Sequence, residues 1–214
     1  MPLNNRPLQI GITGNIGSGK TTFCKFLAER GLRVISADVL ANQHLEDEAV
    51  KEALIKHYSQ AILSSSNNTL GKRNIDHKIL ADRVFGNPNE INFLNSLIHP
   101  LVLRDFQNIA ENSKEQIICF EVPLLFEANL QNCFDYIVLV MADENNRIDR
   151  LEHKGEDRTK AKKRIQHQIS DEEKIHLVDL VIKNDGDFAQ LKKQAEAFIA
   201  LLAQIKPRKI HPFI

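Results

Sequence analysis

The sequence is poor in cysteine and lacks an apolar run of membrane-spanning length, and both absences narrow the kind of protein it can be. Its 214 residues include three cysteines, no two of which form a CxxC pair. Scattered single cysteines argue against a disulfide framework or a metal cluster and favour a reducing compartment. No window approaches the roughly 20 apolar residues that a transmembrane helix needs. The cysteines are Cys24, Cys119 and Cys133.

The chain also lacks an excess of charge of either sign. It has 28 Lys and Arg residues against 28 Asp and Glu residues, so its formal net charge is +0. A balanced chain offers no global electrostatic attraction for nucleic acid or for an anionic membrane. The opening residues MPLNNRPLQI have no long apolar run behind a basic region and do not resemble a signal peptide. We therefore expect a cytoplasmic protein that binds neither nucleic acid nor membrane, and, without an apolar heptad run, a monomer.

Short apolar runs alternate with helical patterns and predict an α/β fold. Strands that alternate with helices are typical of a parallel sheet covered by helices on both faces. The strand candidates are LQIGIT, LRVIS, QIICFEV, DYIVLVM and DLVIKN.

A long helical stretch interrupts this alternation. From about Val39 to Ser113 there is no convincing buried strand, which predicts an insertion at the carboxyl edge of the sheet, where ligands bind in open α/β folds. We thus expect a core made of residues 1–38 and 114–214 and a mainly helical domain made of residues 39–113.

The segment GITGNIGSGKTT matches the phosphate-binding P-loop pattern G-x-x-x-x-G-K-[ST] at every fixed position, between a predicted strand and a predicted helix. Glycines allow backbone N–H groups to turn toward a phosphate, and the following helix directs its positive end there. We expect Lys20 to reach the β- and γ-phosphates and the Thr21 hydroxyl to ligate Mg²⁺. Asn15 stands where Asn tolerates unusual dihedrals. The predicted loop comprises Gly14, Asn15, Ile16, Gly17, Ser18, Gly19, Lys20, Thr21 and Thr22.

The P-loop predicts a nucleoside triphosphate with Mg²⁺ but leaves the reaction open. A GTPase is disfavoured because the sequence has no N-K-x-D segment and no strand followed by D-x-x-G. A motor ATPase normally has a strand ending in an acid, for which Glu121 and Asp143 are candidates. A slow switch that transmits a loop change to a partner is a further alternative. A small-molecule kinase needs an acceptor lobe, a carboxylate near the γ-phosphate and mobile cations.

Asp38 and a basic segment supply the candidates that a kinase requires. Asp38 follows the second predicted strand, which we expect beside the P-loop strand, so its carboxylate could accept a proton or hold Mg²⁺ through water. The alternative is that Asp38 caps the next helix. Residues 147–168 are dense in Arg and Lys, and Gly155 separates two helical patterns there, as in a hinged lid. The alternative is a solvated helix pair.

At this point the sequence resembles the dephospho-coenzyme A kinase family over nearly its whole length. The P-loop is generic, but three later motifs in this order are more specific. They are His99-Pro100, which the helical patterns place at a break between two helices, the Pro-Leu-Leu-x-Glu stretch Pro123 to Glu127, and Asn184-Asp185-Gly186.

The resemblance implies a P-loop nucleotide-kinase core with an inserted helical acceptor domain and a lid. It implies transfer of the γ-phosphoryl group of ATP to the 3′-hydroxyl of dephospho-CoA, with Mg²⁺, in the final step of coenzyme A synthesis. Asp38 would be the general base or a metal organiser, with Thr21 on the metal and Lys20 and Arg150 as catalytic cations. Acceptor contacts would come from Asp38, His99, Leu124, Leu125 and Glu127, and nucleotide contacts from Asn184 and Gly186.

The sequence departs from the family pattern in two places. The family's Asp-Ala-Asp segment is Ser36-Ala37-Asp38 here, so one acid is missing. Lys154 stands where the family typically has Arg and lacks the bidentate fork, and the loop after it is one residue shorter. We expect Lys154, Arg158 or Arg164 to contact the phosphates, although Arg150 and Arg164 could instead pair with nearby acids.

Overall fold

The computed structural model describes residues 6–64, 74–84, 86–166 and 168–214. These residues form two compact units. The first contains the described residues of Met1–Ala37 and Ile109–Phe213, and the second contains those of Asp38–Asn108 with Ile214. None of the helices in the described ranges is both long and apolar enough to cross a membrane.

The first unit is built on a five-stranded sheet in which every strand pair is parallel. All five predicted strands are present, so the predicted α/β fold with a parallel sheet is confirmed. The strands are β1 (Leu8–Thr13), β2 (Arg33–Ser36), β3 (Ile117–Glu121), β4 (Tyr136–Met141) and β5 (Leu180–Lys183). The α-helices are α1 (Lys20–Glu29), α2 (Ala37–His44), α3 (Glu48–Tyr58), α4 (His77–Val84), α5 (Pro88–Asn112), α6 (Glu144–Glu152), α7 (Arg158–Gln166), α8 (Asp171–Ile175) and α9 (Phe188–Leu202).

The strand order is β2-β3-β1-β4-β5, and it corrects one expectation. The second strand does not lie beside the P-loop strand, because β3 intervenes and pairs with both: Glu121 is in register with Ile12 of β1 and with Ser36 of β2. Burial explains the order, since β3 is almost wholly buried whereas no residue of β2 is, as suits an edge strand. The residue that ends the strand next to β1 is therefore Glu121.

The core lies on both faces of β1, all of whose residues are buried. On one face, α1 and α9 pack together, and the rings of Phe23 and Phe198 have centroids 5.8 Å apart. Across the sheet, Phe213 near the carboxyl terminus packs against Phe120 and Phe134, with centroids at 5.4 and 5.5 Å. These two layers hold β1, and therefore the loop that follows it, in a rigid frame.

The second unit is helical among its described residues, apart from an isolated bridge between Leu63 and Ile75. The predicted break at His99-Pro100 is wrong, because α5 continues through Pro100. Pro100 itself is exposed, while Ile98, Val102 and Phe106, spaced four residues apart, are buried. A continuous buried stripe stabilises the helix through a proline that would otherwise disrupt it.

Candidate active site

The loop between β1 and α1 has the conformation that its glycines permit. Gly19 has a φ of 93°, in the left-handed region, and a Cβ there would lie 2.1 Å from Nδ2 of Asn184. A Cβ at Gly14 would lie 2.2 Å from the carbonyl oxygen of Val140. Both positions require glycine, because the Asn184 side chain lies too close to Gly19, and the Val140 backbone too close to Gly14, for any side chain to fit.

Asn15 has a different role from the one predicted. Among the described residues, Ser59 and Asn129 are the non-glycine positions with positive φ, so Asn15 does not relieve an unusual dihedral. Its side chain instead donates from Nδ2 to the carbonyl of Ile169 at 3.0 Å. Its Oδ1 accepts a hydrogen bond from the ammonium of Lys174 at 2.7 Å. Asn15 is therefore a bridge between the loop and the segment that follows α7.

The first residues of α1 meet the last residue of β3. The Nζ of Lys20 lies 3.3 Å from Oε1 of Glu121, and the hydroxyl of Thr21 donates to the same oxygen at 2.6 Å. Lys20 and Glu121 are buried, whereas Thr21 is exposed. Burial raises the pKa of the nearby Cys24 thiol well above its ordinary value, and the Glu121 carboxylate adds to that rise. Cys24 therefore stays a neutral thiol beside this charged pair.

This arrangement fits a Mg²⁺ ion. The Thr21 hydroxyl donates its hydrogen bond to Glu121, which leaves the hydroxyl lone pairs available to a cation, and a carboxylate oxygen lies beside them. Mg²⁺ prefers such hard oxygen ligands and usually completes its shell with phosphate and water oxygens. Within the described residues, no group of three or more His, Cys, Asp or Glu side chains could cage a metal, so the fit depends on substrate oxygens as well.

Arg150 and Asn184 hold the other side of the loop. Arg150, in α6, donates from Nη1 to the carbonyl of Gly17 at 3.2 Å and from Nη2 to the carbonyl of Asn184 at 2.7 Å. Asn184, just after β5, donates from Nδ2 to the carbonyl of Ser18 at 2.8 Å. Gly186 follows two residues later, where a Cβ would meet the side chain of Gln190. The structure thus brings the predicted residues Arg150 and Asn184 directly against the P-loop.

The predicted lid, residues 147–168, includes most of α6 and all of α7, with Gly155 between them at a φ of 88°; residue 167 lies outside the described residues. Arg158 forms ion pairs with Asp149 and Glu152. Arg164 lies 2.9 Å from the carboxylate of Glu156. Lys154 is exposed, two residues after the end of α6. In this structure the two lid arginines therefore pair with acids of α6 and of the loop that follows it.

Three residues of the segment 123–127 are predicted acceptor contacts: Leu124, which is exposed, and Leu125 and Glu127, which face inward. Leu124 is 38% exposed. Leu125 is fully buried beside Gly11, so the structure places it in the core. Glu127 accepts hydrogen bonds at Oε1 from Nζ of Lys174, at 3.1 Å, and from the backbone N–H of Ile169, at 3.4 Å.

Asp38 and His99 belong to the second unit. The helix α2 begins at Ala37, so Asp38 lies inside its first turn and is not the N-cap that one interpretation proposed. An exposed carboxylate there also interacts favourably with the positive end of the helix. His99 is half-buried in α5, and burial lowers its pKa below the ordinary value, so its ring is neutral at pH 7.

Sequence reasoning missed several residues that support the P-loop. The sequence predicts Glu121 only as a candidate acid of a motor ATPase, although its place at the end of an apolar strand is a signal for a residue beside the P-loop. Lys174 lies in the charged run DEEK, which has no pattern that distinguishes a buried lysine from solvated ones. Arg147 and Asp171 form a buried ion pair at 3.2 Å. Burial raises the pKa of Asp171, and the Arg147 charge opposes that rise.

Comparison with known proteins gives a consistent result. The family model described as Dephospho-CoA kinase matches residues 8–190. A dephospho-CoA kinase of Fusobacterium nucleatum is 36% identical over 190 residues, which cover 88% of this chain and 95% of that protein. The crystal structure of TT1252 from Thermus thermophilus has a TM-score of 0.77 at 30% identity, covering 94% of this chain and 100% of that chain. The structure of dephospho-CoA kinase from Campylobacter jejuni has a TM-score of 0.64 at 26% identity, covering 92% and 97%.

Proposed function

The chain belongs to the dephospho-CoA kinase family, and from that premise we propose that it transfers the γ-phosphoryl group of ATP to the 3′-hydroxyl of dephospho-CoA. The products are CoA and ADP, and the reaction is the final step of coenzyme A synthesis. The observation that supports this best is the P-loop, in which Lys20 and Thr21 both contact the carboxylate of Glu121. These residues lie inside the part of the chain that the family model matches.

The donor half of the reaction follows from the loop. Backbone N–H groups and the amino end of α1 bind the phosphates of ATP, and Lys20 neutralises charge that develops on the transferred group. Thr21 would hold Mg²⁺ through its hydroxyl, and the Glu121 carboxylate, which accepts the Thr21 hydrogen bond, would lie beside the ion. Bound Mg²⁺ supplies charge neutralisation and orientation of the phosphate oxygens. Arg150 fixes the loop through its hydrogen bonds to backbone carbonyls.

The acceptor half is assigned to the inserted helical residues 39–113, to Asp38 and to the motif Pro123 to Glu127. Asp38 accepts the proton of the attacking hydroxyl or organises the metal. Neutral His99 offers one hydrogen-bond donor and one acceptor to the acceptor molecule. Exposed Leu124 offers an apolar contact, whereas buried Leu125 and the salt-bridged Glu127 support that segment from inside.

The lid closes over the phosphates and provides a mobile cation. Lys154 is our choice for this contact, because Arg158 and Arg164 already neutralise acids of α6 and of the turn that follows it. We propose that the protein works in the cytoplasm as a monomer on small molecules alone.

ADP release from MgATP, measured with and without dephospho-CoA, tests the proposal. The wild type should release ADP only when the acceptor is present, and the product should be phosphorylated at the 3′-oxygen. Asp38→Asn should lower kcat by about 10²-fold or more, as expected for loss of a general base. Asp82→Asn, which neutralises an exposed acid of α4, is the matched control and should keep wild-type activity.

Each alternative has its own signature in this assay. ADP released equally without any acceptor would overturn the kinase proposal in favour of a switch or a motor. Release that depends on a different nucleotide or metabolite would make the protein another P-loop kinase. If Asp38→Asn mainly raises the Mg²⁺ concentration needed for activity, Asp38 organises the metal; if it removes the acid limb of the kcat pH profile, Asp38 is the base.

A further inference from the structure

A fully buried lysine joins two parts of the first unit that the reaction uses separately. Lys174, in α8, has no exposed surface. Its ammonium donates to Oδ1 of Asn15 in the P-loop at 2.7 Å and to Oε1 of Glu127 at 3.1 Å. Asn15 borders the phosphate site, whereas Glu127 ends the segment that begins with Pro123 and includes exposed Leu124.

Burying this ammonium is costly, and packing alone would not favour it. A charged group removed from water destabilises the fold unless it is paired and hydrogen-bonded, and an apolar side chain of similar size is often at least as stable. Removing Lys174 would also deprive Glu127 of its charge partner, and Oε2 of Glu127 is already buried without a hydrogen bond among the described residues. The burial of Lys174 is therefore better explained by the connection that it makes between Asn15 and Glu127 than by packing.

Neighbouring contacts repeat the same connection. Gln168 accepts at Oε1 from the backbone N–H of Ile16, in the P-loop, at 2.8 Å. The backbone of Ile169 accepts from Asn15 and donates to Glu127. Residues 168–174 thus contact the P-loop and the segment 123–127 together, and they begin two residues after the last residue of α7.

We propose that Lys174 is a positioning residue through which nucleotide binding at the P-loop and acceptor binding beside Leu124 strengthen each other. Occupation of the P-loop fixes Asn15, which fixes Lys174 and, through it, Glu127 and the end of the segment 123–127. Coupling of this kind is reciprocal, so the acceptor must tighten nucleotide binding by the same factor. This inference rests on the proposed function, because it takes dephospho-CoA as the acceptor.

The coupling can be measured without turnover, because ADP has no γ-phosphate to transfer. Calorimetry of MgADP binding, with and without saturating dephospho-CoA, gives two Kd values and their ratio. We expect the wild type to bind MgADP at least about 5-fold more tightly with dephospho-CoA, within the usual range for coupled sites. Lys174→Met should weaken MgADP binding and bring the ratio close to one, and Lys174→Arg should restore part of it.

Arg6→Met is the matched control. Arg6 also forms an ion pair with a buried partner, Asp135 at 2.7 Å, but it precedes β1, at the end of that strand remote from the P-loop. It should lower thermal stability and leave the coupling ratio at the wild-type value. If Lys174→Met does not fold, Glu127→Gln tests the same link, because it keeps the side-chain shape and removes the charge; we expect it to halve the ratio at least.

Three results would overturn the inference. They are a wild-type ratio of one, an unchanged ratio in a folded Lys174 or Glu127 variant, and an equal loss of coupling in Arg6→Met. Failure of the proposed function is distinguishable, since it would appear as wild-type protein that releases no acceptor-dependent ADP.

Discussion

The ammonium of Lys20 lies 3.3 Å from the carboxylate of Glu121, although the two residues are 101 positions apart in the sequence. Their side chains are 10% and 6% exposed, so the pair is largely withdrawn from water. A lysine held this way already has an anionic partner before any phosphate arrives. It can exchange or share that partner with a phosphate without first losing a full hydration shell, which is the condition of a preorganised site.

Glu121→Gln should lower turnover by about 10- to 100-fold and raise the Mg²⁺ concentration needed for half-maximal rate. The change removes the charge beside Lys20 and Thr21 while keeping the side-chain length, and groups that support a metal ligand typically contribute effects of that size. Steady-state rates over a Mg²⁺ titration provide the measurement. Glu29→Gln, at an exposed position in α1, is the control. An unchanged Mg²⁺ dependence in Glu121→Gln would contradict the role given to Glu121.

Gly19→Ala should abolish most MgADP binding, because the new Cβ would displace Asn184 as well as strain the backbone. Gly31→Ala separates the two effects: Gly31 has a similar φ of 86°, but a Cβ there would meet nothing within 4 Å. We expect Gly31→Ala to cost about 1–2 kcal/mol of unfolding free energy, the typical penalty of a left-handed conformation, with normal MgADP affinity. Calorimetry and urea unfolding measure both quantities. Equal losses of affinity in the two variants would show that the contact with Asn184 is unimportant.

Phe213→Ala should destabilise the first unit by about 3–5 kcal/mol, as expected for removal of a buried aromatic ring. Phe213 is 6% exposed and packs on Phe120 and Phe134, next to β1. Phe188→Ala is the control, because Phe188 is 70% exposed and should cost much less. Urea unfolding followed by circular dichroism gives both values. If the two variants lose similar stability, the end of the chain does not belong to the core.

His44 should make the stability of the second unit depend on pH. Partial burial opposes its charged form and is the largest single influence on its pKa, but hydrogen bonds to Asp47, at 2.6 Å, and Asp105, at 2.8 Å, together outweigh it and raise the pKa. A raised pKa means that the stabilisation is complete below the unfolded pKa of about 6.5 and is lost as pH rises through the folded pKa.

The corresponding measurement compares His44→Gln with wild type in urea at pH 5.5 and pH 8.5. The substitution should cost more at pH 5.5, by up to about 1 kcal/mol, the upper range for partly exposed ion pairs. Gln43→Ala, at an exposed uncharged side chain of the same helix, is the control and should cost the same at both values of pH. A cost for His44→Gln that is equal at both values of pH would mean that the imidazole is neutral throughout.

Local patterns predicted the elements and the loop. The five strand candidates, the end of α1 before Gly31, the separation of α6 from α7 at Gly155 and the P-loop itself depend on residues close in sequence. Where a feature needed distant residues, prediction failed. The break at His99-Pro100 is absent, because burial of Ile98 and Val102 on one helix face outweighs the local effect of proline.

The sequence by itself determined the fold class, the phosphate-binding loop and the family, because hydrophobic periodicity and glycine spacing are properties of residues that are close together in the sequence. Only the tertiary structure decided which carboxylate stands beside Lys20. The order of parallel strands depends on which strand can be buried on both faces. Because β3 is buried and pairs with β1, the acid beside the P-loop strand is Glu121, at the end of β3, and not a residue at the end of β2. Only the tertiary structure likewise showed that Lys174 is buried, because local sequence does not distinguish a buried lysine from an exposed one. Its partners Asn15 and Glu127 are distant in the sequence.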